Sequence, residues 1–380
     1  MNGHSPRRRP AMAAVLAASA LALAWPAPAK PMEQAGCHGL LVKPCSGPGN
    51  TDGGQSVAPA AWAVSAGAVE FRAPPAPEAP PPSPLPEGER AVPPAGRDIY
   101  LLPDDYRAAD GTVDQAALVA NQKKRVDTIN RLLGTKLRMV ETTHYLLLSD
   151  ADPRVTSQFA GWAEALYRSL LEQFTLPALA RVWDGKCVLI LFGQRRHYEA
   201  YAKRFDGHQT VYAGAYFAVE KHGQDEPSLV HLCIPVEGSN ARRLQELFAH
   251  EGTHAFFELY RTPGRLPLWV HEGLAEYMTT VNDPSLRPAK WAQAQRVARS
   301  RAPIHDVYEA PVGTELTLGQ YGVAFTLVDF LLKAGRPKFK AFVDGLKDGK
   351  TADAALEAAY GFGLEGLAGR WRLYVGRGKS

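Results

Sequence analysis

The spacing of apolar and polar residues changes character along this chain. From residue 143 onward, short apolar runs alternate with amphipathic stretches. "THYLLLS" (143–149) reads as a strand, and the segment 154–174 as a helix with Phe159, Trp162, Leu166, Leu170 and Phe174 near helical spacing. "KCVLILF" (186–192) reads as a buried strand and "QRRHYEAYAKRF" (194–205) as a helix; "VYAGAYFAVE" and "SLVHLCIP" read as paired strands across the polar "KHGQDEP". After Gly238 nearly every segment is helical, including 239–260, "LWVHEGLAEYM", "LTLGQYGVAFTLVDFLL" and three short amphipathic stretches at the C-terminus that read as a helical support. Residues 100–140 form a polar, helical lead-in. The expected class is α+β: a small mixed sheet with helices over 100–238, then a mostly helical half over 239–380.

The first hundred residues follow a different rule. Residues 30–99 include "APPAPEAPPPSPLPEGERAVPPAG", in which proline removes backbone donors and fixes φ, so a disordered linker is expected. Residues 1–29 combine a cationic start (Arg7, Arg8, Arg9), an apolar run and a small-residue "APA" before Lys30, the pattern of a cleaved signal peptide. The apolar run is short for a membrane span and ends at Pro26. Pro10 spoils a twin-arginine pattern, and Cys37 lies too far from the apolar run for a lipid anchor. The expected location is periplasmic or secreted, with no stable membrane insertion after cleavage.

The formal charge of +4 depends largely on those three arginines, so the remainder is near neutral and no nucleic-acid partner is expected. An oxidising compartment makes the four cysteines candidates for pairing. Cys37 and Cys45 could close a local loop; Cys187 and Cys233 could be paired or simply buried.

The chemistry is concentrated in two His-Glu-Gly triplets. His250 and His254 stand one helical turn apart with Glu251 beside them, an HExxH pattern that can hold one zinc ion with a carboxylate ready to handle a proton. "RTPGR" then turns the chain, Pro267 suits a helix start, and Glu272 follows eighteen residues after His254. A catalytic zinc wants three protein ligands and one open position, and Glu272 is the candidate third. Glu276, one turn further, is placed to accept the outer N–H of a zinc-bound histidine. His271, next to Glu272, points to another helix face and is expected to be incidental.

His250-Glu251-x-x-His254 followed by Trp269-x-x-Glu272-Gly273-x-Ala275-x-Tyr277 resembles the gluzincin metallopeptidases. More loosely, the preceding strand–helix–strand order resembles peptidase-MA-like bacterial proteins. The resemblance implies a zincin-like helical half, Zn2+ as cofactor, a peptide or protein substrate, Glu272 as third ligand and Glu276 as the partner of a ligating histidine. It also implies Glu251 as general base and a tyrosine assisting the oxyanion, for which Tyr321 is the candidate and His305 and His231 the fallbacks. Substrate would lie along an edge strand supplied by 213–220 or 230–235, with Gly214 permitting close approach. "GAYFAVE" lacks the substrate-gripping motif of the aminopeptidase relatives, which points to an endopeptidase or a narrow processing role. Two other classes stay open: an exported binding protein with a structural metal, and a zinc hydrolase of a non-peptide amide or ester.

Overall fold

The computed structural model describes residue 99 and most of 102–377, leaving out residues 104, 209–213, 221–225, 263 and 312–313. The expected signal peptide, nearly all of the expected linker, and Cys37 and Cys45 lie outside the described residues.

The chain enters through α1 (Gln115–Leu133), started by the Asp114 carboxylate, which accepts from the N–H groups of Ala116 and Ala117. It ends at Gly134, whose φ of 65° is the left-handed cap that glycine adopts without strain. The helical lead-in therefore stops short of residue 140. Beyond it lies an exposed strand, β1 (Arg138–Glu141), which has no apolar alternation and is held by pairing with β2 (Tyr145–Ser149). Then come α2 (Pro153–Gln173), β3 (Cys187–Phe192), α3 (Arg195–Phe205), β4 (Tyr216–Glu220) and β5 (Leu229–Pro235). The α2 start is set by Asp152, which accepts from the Arg154 N–H, with Pro153 in the first turn.

The five strands form one sheet in the order β1-β2-β3-β5-β4. The β2–β3 and β3–β5 pairs are parallel, and the two edge strands, β1 and β4, are antiparallel to their neighbours. Strands β2 to β5 are buried along their length, so both sheet faces are covered. Leu147, Leu189, Phe217, Leu232 and Ile234 join the core on one face. Leu146, Leu148, Val188, Ile190, Tyr216 and Cys233 join a second core on the other, which also takes in Val126 of α1 and Tyr198 of α3. Cys187 belongs to the first face and Cys233 to the second, and both are free thiols. The pleat that separates their side chains explains why they do not pair.

Against the first face lies α4 (Ala241–Leu259), capped by the Asn240 side chain accepting from the Arg243 N–H. There follow α5 (Leu268–Asn282), α6 (Arg287–Ser300), α7 (His305–Glu309), α8 (Leu318–Ala334), α9 (Arg336–Lys347), α10 (Ala352–Tyr360) and α11 (Leu364–Arg377). α5 packs on both α4 and α8, and α8 in turn on α6 and α9. The C-terminal helices are a support in a specific sense: the Lys347 ammonium donates to the carbonyls of Phe257 and Glu258 in the last turn of α4. A buried cation there satisfies orphan carbonyls and meets the negative end of the helix dipole.

The glycines of the two triplets share one purpose, close helix approach. A Cβ on Gly252 would meet Leu166 Cδ2 of α2 at 2.7 Å, and one on Gly273 would meet Val328 Cγ2 of α8 at 2.7 Å as well as the Ala324 carbonyl. The second collision involves backbone, which cannot rotate away. Gly273→Ala is therefore expected to destabilise by about 1–3 kcal/mol through overpacking, measured as a lower urea midpoint with an unchanged slope.

Candidate metal centre

The crossing of α4 and α5 brings three donor atoms together. His250 Nε2 and His254 Nε2 are 3.1 Å apart, and Glu272 Oε2 lies 3.5 Å from the first and 3.6 Å from the second. One helical turn along α4 accounts for the histidine pair. Arg261, just past the end of α4, adopts a left-handed φ of 65°, and α5, which packs on α4, carries Glu272. All three side chains are buried, and the Glu272 Oε2 atom has no hydrogen-bond partner. Tetrahedral zinc bonded to nitrogen and oxygen at about 2.0–2.1 Å spaces its ligand atoms roughly 3.3 Å apart. The observed triangle fits such an ion, and so does the orphaned carboxylate oxygen.

Electrostatics favour a cation at the same place. Burial acts to lower the His250 pKa, but contacts with Glu272 and Glu276 outweigh it and raise it to about 10. Burial likewise acts to raise Glu272, yet His254 and His250 hold it well below the usual carboxylate range. Two anionic oxygens thus create a field at His250 in which positive charge is strongly preferred.

Behind His250 stands a relay. Its Nδ1 lies 3.2 Å from Glu276 Oε1, while the other oxygen of Glu276 takes the ammonium of Lys290 from α6. Lys290 is largely buried and Glu276 almost wholly so. This contact fixes the ring orientation and keeps Nε2 facing the other donors. The spacing of Glu276 suggested its position; Lys290 had no signal in the sequence, because a lysine on a polar helix ordinarily faces solvent.

Glu251 is buried beside the trio, with Oε2 lacking a hydrogen-bond partner. Burial, reinforced by Glu272, raises its carboxyl to about 8 against the opposing effect of His250. Tyr321 sits in the first turn of α8, buried in the core that α8 shares with α5. His305 is exposed at the start of α7. His231 lies on β5 facing the opposite side of the sheet, bound to Asp206 and Glu220, so the sheet itself separates it from α4.

His271 is, as expected, not one of the three converging donors. Its facing differs from the expectation: its ring stacks on His254 with centroids 4.0 Å apart and planes at 23°, where α5 packs on α4. Phe217 of edge strand β4 completes the surround, its ring 5.8 Å from His254 and 6.2 Å from His271. Of the two candidate edges, β4 is the edge strand and β5 is interior. Gly214, just before β4, faces Leu247 of α4.

Two buried histidines and a buried glutamate on packed helices, with a separate carboxylate beside them, form a candidate metal centre. Residues 223–377, the stretch that runs from β5 through α11, match the family model described as the peptidase MA superfamily. No curated protein matches the chain. Among solved structures, an M1 zinc metallopeptidase from Deinococcus radiodurans is similar with a TM-score of 0.37 and 13% identity, covering 64% of this chain and 53% of that one. A mutant of the same enzyme gives a TM-score of 0.34 and 14% identity over the same shares. The chain thus spans about half the length of those neighbours.

Removing the relay tests its purpose. Lys290→Met is expected to leave the fold intact and weaken zinc binding by roughly 10-fold, the lower end of the range for outer partners of metal-ligating histidines. Competition of the purified protein with a chromophoric chelator reads this directly.

Proposed function

We propose that this chain is an exported zinc metallopeptidase that hydrolyses internal peptide bonds, with His250, His254 and Glu272 as the ligands. The observation that carries this reading is the convergence of those three donors beside a fourth carboxylate, Glu251, which is not among them. A purely structural metal has no use for such a group, and a closed structural site wants a fourth protein ligand. Zinc held there would supply a Lewis acid that acidifies water toward neutral pH and polarises a carbonyl oxygen.

The chain's own residues do the rest. Glu251 takes a proton from the attacking water and passes it to the leaving amine; a dication held by the three donors would favour its carboxylate form, which burial alone disfavours. Its apolar surroundings exclude competing solvent and favour the neutral form once the proton arrives. Glu276 and Lys290 hold the His250 ring while charge changes nearby. Tyr321 is assigned as the donor to the developing oxyanion. The free edge of β4, with Phe217 against His254, suits an extended substrate backbone pairing as an added strand. The absence of the aminopeptidase gripping motif supports cleavage within chains. Export rests on residues 1–29, with the Pro-rich stretch as a tether between the cleavage point and the catalytic half.

Three variants separate the roles. Glu251→Gln is expected to retain about one zinc in this site yet lose roughly 10²–10⁴-fold in kcat on a quenched peptide library. Glu272→Ala is expected to lose the metal of this site together with activity. Tyr321→Phe is expected to lower kcat with little change in KM or metal content. A zinc content of Glu272→Ala undiminished from that of wild type would contradict the ligand assignment; full activity of Glu251→Gln would contradict the mechanism. Removal of metal from wild type by a chelator is expected to abolish hydrolysis, and added Zn2+ to restore it.

A further inference from the structure

On the face of the sheet opposite α4 lies a second cluster of metal-binding types. His231 and Cys233 alternate on β5, so both point to the same face, where the core also holds Leu146, Leu148, Val188 and Ile190. Asp206 caps the end of α3. One ligand atom from each of Asp206, His231 and Cys233 lies within 4.8 Å of the others, and all three residues are buried. Gly207, with φ of 75°, then turns the chain back so that the His208 N–H reaches the Ala202 carbonyl. The turn sets the His208 ring 4.8 Å from that of Tyr216, with Nε2 buried and lacking a hydrogen-bond partner.

In sequence the four donors are two short pairs, Asp206-x-His208 and His231-x-Cys233. Paired donors on two neighbouring elements are how structural zinc sites are commonly assembled. We propose that Asp206, His208, His231 and Cys233 form a second metal site, taking a borderline-soft divalent ion such as zinc in a structural role.

The surroundings of the donors match that use. Glu220 Oε1 lies 3.2 Å from His231 Nδ1 and accepts from Arg125 at 2.8 Å, so the carboxylate behind the ring is itself anchored. That arrangement commits Nδ1 to Glu220 and presents Nε2, now 3.0 Å from Asp206 Oδ2, to an ion. The Tyr216 hydroxyl donates to Asp206 Oδ2 at 2.6 Å and orients the second donor. Apolar residues of similar volume would hold this sheet face at least as well, since buried ion pairs seldom repay their desolvation. A thiol beside an imidazole and a carboxylate is, by contrast, a ligand set suited to zinc. Coordination requires side-chain rotation that draws the donors to roughly 3.3–3.8 Å from one another, and release of the Cys233 thiol proton to solvent. With four protein donors the site is closed. Its effect is to fasten the end of α3 to β5, under the edge strand that carries Phe217.

This site is independent of the first, and cobalt distinguishes the two because only the second contains a thiolate. Full-length protein stripped of metal and reloaded with Co2+ is expected to take two ions per chain and to show a near-ultraviolet sulfur-to-cobalt charge-transfer band. Glu272→Ala is expected to keep one ion and the whole band. Cys233→Ser is expected to keep one ion and lose the band, and His208→Ala, which leaves the buried ion pairs intact, to weaken the band-forming ion at least 10-fold. A wild type holding one ion with no band, or a band that persists in Cys233→Ser, overturns the proposal and leaves the cluster as a charge-balanced ion network. Should Cys233→Ser fail to fold, the wild-type stoichiometry and the His208→Ala titration decide alone. Loss of all metal from Glu272→Ala likewise overturns it while leaving the first centre standing.

Discussion

Three carboxylates, Glu251, Glu272 and Glu276, are buried at one helix crossing, and the arrangement around them follows from the need to neutralise them. An uncompensated buried ion costs several kcal/mol even after local relaxation. Glu251 meets that cost by holding its proton more tightly, its carboxyl raised to about 8 by burial. Glu272 and Glu276 instead remain anionic and draw cations: the histidines for one, His250 and Lys290 for the other. The Lys290 ammonium and a protonated His250 match these two carboxylates. A dication held by the three donors would take the place of the His250 proton.

That constraint reaches into the fold. α5 carries Gly273 where it meets the Ala324 backbone of α8, and α4 carries Gly252 where it meets the Leu166 side chain of α2. The last turn of α4 is held by Lys347 from α9, far along the chain. The sheet contributes a rigid platform buried on both faces and an edge strand beside the site. The surround of the site is not confined to the stretch that matches the peptidase MA superfamily model: Phe217, whose ring lies 5.8 Å from that of His254, precedes it.

Much of this was legible in the chain because it depends on local periodicity. The 3.6-residue repeat places His250 and His254 together, and the spacing to Glu272 leaves room for one turn between helices. The pairing of β4 with β5 was likewise readable. What escaped detection depends on non-local packing. β1 has no apolar alternation and exists through pairing with β2. Lys290 approaches from a helix whose own pattern gives no hint of an inward lysine. Helical geometry alone puts His271 on another helix face than Glu272, whereas the packing of α5 on α4 lays its ring on that of His254. The separation of Cys187 from Cys233 is a matter of strand register, which places them on opposite faces.

The most direct test of the central claim is a crystal structure of the purified protein with anomalous data collected on both sides of the zinc absorption edge. The account predicts a zinc peak bonded to Nε2 of His250, Nε2 of His254 and a carboxylate oxygen of Glu272 at about 2.0–2.2 Å, with Glu251 outside bonding distance. A crossing of α4 and α5 with no ion between them, or a metal ligated by His271 in place of Glu272, would contradict it.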